Sequence, residues 1–116
     1  MCTINFGEYK VKARIADSFL KRIAGLMFED KMQSPMLFKF SQASYHGIWM
    51  KNMNFPIDLI WAKDNKIVDI IENVKECRSF NCKTYVPCAP ANVIIELDAG
   101  AVKRMHLKKS KTFRIS

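Results

Sequence analysis

The stretch from Ile57 to Val74 constrains the fold more than any other part of the chain. Two runs rich in apolar and β-branched residues, Ile57 to Lys63 and Lys66 to Val74, are separated by Asp64-Asn65. That two-residue pair suits a primed turn, whose twist matches the twist of the strands it joins. The rest of the chain carries the same signature. Glu8 to Ile15 alternates, with Tyr9, Val11, Ala13 and Ile15 on one side and Lys10, Lys12 and Arg14 on the other, as a half-buried strand does. Cys2 to Phe6 is expected to pair with it through a turn at Gly7. Further strands are expected at Met36–Phe40, Tyr45–Met50, Asn92–Asp98 and Thr112–Ile115. In Asn92–Asp98, Val93, Ile95 and Leu97 face one way, and Ile94 and Glu96 the other.

Helix is scarce. Asp17 is a good N-cap for two turns over Ser18 to Ala24, where Phe19, Leu20 and Ile23 form an apolar stripe and Gly25 supplies a left-handed stop. Ala101 to His106 fits one or two further turns. The expected fold is therefore mostly β (α+β): a partly closed barrel or sandwich of about seven short strands with one or two short helices. Closure is favoured because it removes exposed strand edges.

The 116 residues are the size of one ordinary domain, expected to span 1–116 without a linker or repeat. With 49% hydrophobic and 26% charged residues the chain is globular in composition rather than disordered. No apolar run approaches the roughly 18 residues of a membrane-spanning helix. Met1 to Phe6 lacks the basic and apolar regions of a signal peptide, so a cytoplasmic location is expected. The formal charge is +8, and Lys103, Arg104, Lys108, Lys109, Lys111 and Arg114 fall in one stretch free of acids. Such a stretch attracts anions weakly and without specificity, or is simply a solvated basic face; Phe113 is its single aromatic for stacking on bases.

The chemistry-bearing residues gather around Trp49-Met50-Lys51-Asn52, followed by Pro56 and Asp58. One reading makes this a polar pocket walled by Trp49, with Lys51 and Asp58 lining it or paired. The other makes it a core tryptophan, a lysine whose stem lies along apolar surface and an asparagine holding a turn. Asp58 and Glu96 each interrupt an apolar strand, and would share a site, with acid–base potential, if their strands were neighbours. His46 and His106 accompany no recognisable nucleophile, and phosphate loops and Cys-x-x-Cys pairs are absent. Cys77, Cys82 and Cys88 are spaced wrongly for common zinc ribbons. Cys77 and Cys82 are close enough in sequence for a local disulfide, unusual in a reducing cytosol outside hyperthermophiles, and are otherwise free thiols. No metal or cofactor is expected. The methionines, several of them between Met27 and Met53, suit an irregular core or an adaptable surface.

Taken together, Arg22 before Gly25-Leu26-Met27, Met36-Leu37-Phe38, Trp49-Met50-Lys51-Asn52, Pro56-Ile57-Asp58, and Glu96-Leu97 with Ala99-Gly100 resemble, in order and spacing, the domain of unknown function 192 family of small prokaryotic proteins. Cys77 and Cys82 look like the cysteine pair that some members carry before a tyrosine, here Tyr85. Met53 departs from the threonine usual in that family, and Ser110-Lys111 from a Gly-Asp turn. The resemblance implies a barrel-like β core with the motif residues around one surface depression, and supplies no reaction. The expected function is a binding module for a small ligand or protein, with Trp49, Lys51, Asn52, Asp58, Glu96 and Arg22 as candidate site residues. The alternatives are an interaction or nucleic-acid-associated protein using the basic stretch, and an enzyme with carboxylate acid–base residues.

Overall fold

A computed structural model describes residues 1–16, 29–32 and 34–116. Among the described residues there are nine strands, β1 (Cys2–Asn5), β2 (Lys10–Ala16), β3 (Met36–Ser44), β4 (Ile48–Trp49), β5 (Ile57–Lys63), β6 (Lys66–Val74), β7 (Thr84–Tyr85), β8 (Ala91–Asp98) and β9 (Arg114–Ile115), and one short helix, α1 (Ala101–Arg104). Seven strands make one sheet in the order β6-β5-β8-β3-β2-β1-β9, and β4 and β7 form a separate pair. Among the described strands every ladder is antiparallel except that of β2 with β3, and a parallel pair needs a long crossover connection. The expected helix at Ser18–Ala24 lies in that connection and outside the described residues, as does Arg22.

The two edges of the sheet meet. Ile67, in β6, donates to Lys111 O at 2.9 Å and accepts from Ser110 N at 2.8 Å, and Phe113 N donates to Asn65 O at 3.0 Å. The segment leading into β9 is thereby stitched to the start of β6, and the sheet curls into a partly closed barrel. The expected β-rich, barrel-like class is the observed one. Alternation along the strands fills its two faces. Ile4, Ala13, Leu37, Ile60, Ala62, Ile95 and Leu97 pack one core with Phe6 and Phe113. Phe38, Ile57, Leu59, Trp61 and Ile94 pack a second, on the opposite face, with Met50 and Met53. Central strands buried on both faces read as continuous apolar runs, as β5 does.

The β5–β6 hairpin turns where expected: Asp64 and Asn65 have φ of 51° and 64°, both left-handed, as a type I′ turn demands. Two expectations need correction. The strand expected at Tyr45–Met50 shrinks to Ile48–Trp49, while β3 runs on to Ser44. Residues 41–44, Ser-Gln-Ala-Ser, are exposed and hold no large apolar side chain, so they show no hydrophobic pattern, yet Ser44 still pairs with Ala91 through the backbone. β7 sits in the cysteine loop, where no strand is expected from the sequence. It approaches β4 so closely that a Cβ on Gly47 would lie 2.6 Å from Thr84 Cγ2, which is why a glycine stands there.

The turn supplies a test. Asn tolerates the left-handed region and Ala does not, at a cost of about 1 kcal/mol. Asn65→Ala is expected to lower the unfolding free energy by about that amount in a denaturant titration, and Asn65→Gly to leave it within about 0.5 kcal/mol.

Candidate functional site

Trp49 is not a core residue. It is 51% exposed, whereas Trp61 is fully buried and donates its indole N–H to His46 O at 2.9 Å. Lys51 Nζ lies 5.8 Å from the centre of the Trp49 ring, within cation–π range. Lys51 does not pair with Asp58. The chain then turns back: Met53 N donates to Met50 O at 3.2 Å, and Asn52 has φ 63° at the third position of the turn. Asn is one of the few side chains that tolerate this conformation, so the turn reading of Asn52 holds. Met50 and Met53 project into the second core, 1% and 4% exposed.

The turn is docked on the cysteine loop. Cys77 N donates to Met50 O at 3.2 Å, Lys51 and Cys77 form a parallel bridge, and Cys77 is disulfide-bonded to Cys82, Cα–Cα 5.8 Å. Between turn and loop lies a depression of about 250 Å³ lined by Asn52, Met53, Asn54, Cys77 and Arg78. Its polar groups are tied together. Arg78 donates to Asn54 Oδ1 at 3.1 Å, and Asn54 Nδ2 donates to Glu29 O at 3.0 Å. The Glu29 carboxylate takes two bonds from the Arg14 guanidinium, at 2.7 and 3.0 Å, and these hold Arg14 above its ordinary pKa. Arg14 Nε is buried without a partner among the described residues. Arg14, Glu29, Asn54 and Arg78 escaped the sequence reading: they are scattered across 65 positions' worth of chain, from 14 to 78, with no shared motif.

Asp58 and Glu96 do sit on neighbouring strands, but they do not share a site. Asp58 is opposite Leu97 and Leu59 opposite Glu96, so the two carboxylates point to opposite faces of the sheet. Asp58 is fully buried beside the first core, where Oδ2 accepts from Gly100 N and Val102 N, both at 3.0 Å, and Oδ1 from Asn73 N at 2.8 Å. Gly100 precedes α1 and has no side chain to cap it, so Asp58 performs that duty from 42 residues upstream. Asn73, at φ 52°, sits where the β5–β6 register shifts, and Asp58 takes its displaced N–H. All three bonds come from backbone N–H groups, so the Asp58 carboxylate serves the local structure at these two places. A helix start preceded by glycine is the sequence signal that an acceptor must come from elsewhere.

Glu96 faces the second core, 4% exposed, in the row Arg14–Met36–Glu96–Leu59 across β2, β3, β8 and β5. Burial, and then the negative charge of Glu29, push its carboxyl up to about 8. The basic stretch is divided among elements: Lys103 and Arg104 end α1, Lys109 pairs with Asp69 at 3.5 Å, and Lys111 and Arg114 lie beside β1. Among the described residues no group of three or more His, Cys, Asp or Glu side chains is placed to hold a metal ion, and no helix is long and apolar enough to cross a membrane.

The two carboxylates predict opposite mutant behaviour. Asp58→Asn replaces an acceptor by a donor facing buried N–H groups and is expected to cost about 2 kcal/mol or more at neutral pH. Folded Glu96 keeps its proton up to about pH 8, whereas the ordinary value is 4.5, so the folded state binds more protons between those values and loses stability as pH rises through them. Glu96→Gln is therefore expected to stabilise the chain at pH 9 by on the order of a few kcal/mol and to change it little below pH 5, measured by denaturant titration across pH.

The fold and the sequence have relatives. The crystal structure of a protein of unknown function from Novosphingobium aromaticivorans has the same fold, with a TM-score of 0.83 over 99% of this chain and 82% of that one, at 19% identity. A Sinorhizobium meliloti protein whose structure is named for a "putative transcription regulator" matches with a TM-score of 0.80, covering 99% and 90%, at 26% identity. The UPF0127 protein PF1050 of Pyrococcus furiosus is 32% identical over 106 residues, 87% of this chain and 84% of its own. The family model for domain of unknown function 192, described as an uncharacterized ACR, matches residues 2–115. On the match of that model over residues 2–115 and the identity to PF1050, the chain belongs to the domain of unknown function 192 family.

Proposed function

We propose that this chain is a binding module whose site is the depression between the Asn52 turn and the disulfide loop. The observation that carries this reading is the convergence there of two amides and a guanidinium, Asn52, Asn54 and Arg78, over the buried thioether of Met53 and beside a disulfide. A concave surface with an apolar floor and a few oriented polar groups is how small-molecule sites are built. Lys51 adds a second cation next to Asn52, and Trp49 an exposed aromatic surface. The chemistry suits a small ligand bearing a carboxylate or several carbonyl or hydroxyl oxygens. Arg78 matches such oxygens in a fork, and the asparagines both donate and accept. An enzyme with Asp58 and Glu96 as partners is the weaker reading, because each is spent on its own face of the sheet.

Trp49 makes the proposal measurable. Titration with a panel of small carboxylates, sugars and short peptides is expected to produce a saturable change in tryptophan emission that Trp49→Phe abolishes, since Trp61 is shielded in the core. Arg78→Ala is expected to weaken that binding by about tenfold, the loss of one or two charge-assisted hydrogen bonds. A panel that leaves the emission of Trp49 unchanged at millimolar concentration, or an Arg78→Ala variant that binds as tightly as wild type, refutes it.

A further inference from the structure

A second depression lies elsewhere, at the rim of the first core. It measures about 410 Å³ and is lined by Asn5, Phe6, Gly7 and the segment from Lys111 to Arg114. That volume falls within the range of about 300–1,000 Å³ usual for small-molecule sites. The register explains its charge. Asn5 of β1 is opposite Lys10 on one side and Arg114 on the other, so Lys10, Asn5 and Arg114 form one row across β2, β1 and β9. Ile4, the next residue, is buried in the core, so alternation turns this row outward. Lys111 joins from the segment that closes the barrel, where its backbone carbonyl accepts from Ile67 N and leaves the side chain to the rim. Among the described residues neither Lys111 nor Arg114 has an ion-pair partner, and no carboxylate lines the depression.

Neutral donors complete it. Asn5 Oδ1 accepts from Gly7 N at 2.8 Å, which leaves Asn5 Nδ2 as the outward donor, and Thr112 contributes a hydroxyl. The floor is aromatic: Phe6 and Phe113 are 1% and 4% exposed, with ring centres 5.5 Å apart. We infer that this is a binding site for a phosphorylated small molecule. Lys111 and Arg114 meet the phosphate, with Lys10 contributing charge from the neighbouring strand, and the organic part lies toward Phe6 and Phe113. Clustered cations with fork-like and hydroxyl donors suit a multiply charged, many-oxygened anion better than a single carboxylate. The site is separate from the one between the Asn52 turn and the disulfide loop, and stands or falls independently of it.

The test uses a nucleoside monophosphate as probe, inorganic phosphate as competitor and calorimetry at physiological salt. Two double variants remove equal charge: Lys111→Gln with Arg114→Gln at the depression, and Lys103→Gln with Arg104→Gln on α1. The backbone bonds of residues 111 and 114 survive the first pair, and unfolding curves of both variants verify this. The expected result is one probe per chain, displaced by phosphate, weakened about tenfold or more by the first pair and changed less than about twofold by the second. Equal weakening by both pairs overturns the inference, because it reduces the effect to net charge. Absence of saturable probe binding, or binding only of a single-stranded oligonucleotide, overturns it as well.

Discussion

The meeting of the two sheet edges is the contact on which the rest of this structure depends. β6 and the strand β9 are the outermost members of the seven-stranded sheet, and the chain from Asn65 to Ile67 is bonded to residues 110–113. Without those bonds the sheet would present two open edges, each a row of unpaired N–H and C=O groups. With them, one face becomes an interior for Ile4, Leu37, Ile60 and Ile95, and Phe6 and Phe113 come together at its rim. The other face stays outside and must be covered. Met50 and Met53, carried on the docked Asn52 turn, contribute to that cover.

This division decides the fate of the two buried carboxylates. They occupy neighbouring strands one register position apart, and strand alternation sends them to opposite sides. Asp58 meets backbone N–H groups that secondary structure left unpaired, at the start of α1 and at the irregularity in β6. Glu96 meets apolar side chains and the neighbouring charge of Glu29, and its neutral form is favoured. Residues of similar chemistry, read from sequence as one pair, thus serve two unrelated purposes.

The candidate surfaces were legible in part. The segment from Trp49 to Asn52 stands out in sequence because a large aromatic, a cation and an amide follow one another, and the Asn52 turn could be read from side-chain preference. Its companions Asn54 and Arg78 could not, because what joins them is a hydrogen bond across 24 positions. The basic stretch was visible as composition, but its separation into a pair with Asp69, two cations on α1 and two beside β1 depends on how the chain folds back. The burial of Trp61 rather than Trp49 was likewise hidden: both lie among apolar neighbours in sequence, but β5 is flanked on both sides by strands of the seven-stranded sheet, whereas β4 lies outside it and pairs with β7.

By itself the sequence determined what is local. The I′ turn at Asp64-Asn65, the alternation of β2 and β8, the short helix after Gly100 and the scarcity of other helical pattern among the described residues follow from side-chain preferences over a few positions. The family pattern is also written in the order of its motifs. The tertiary structure alone decided which strand edges meet, which face each carboxylate shares, and which distant polar groups border a common depression. The reason is physical: period and turn chemistry act between near neighbours, whereas closure and polar pairing act between groups that the chain brings together only once its apolar faces are buried.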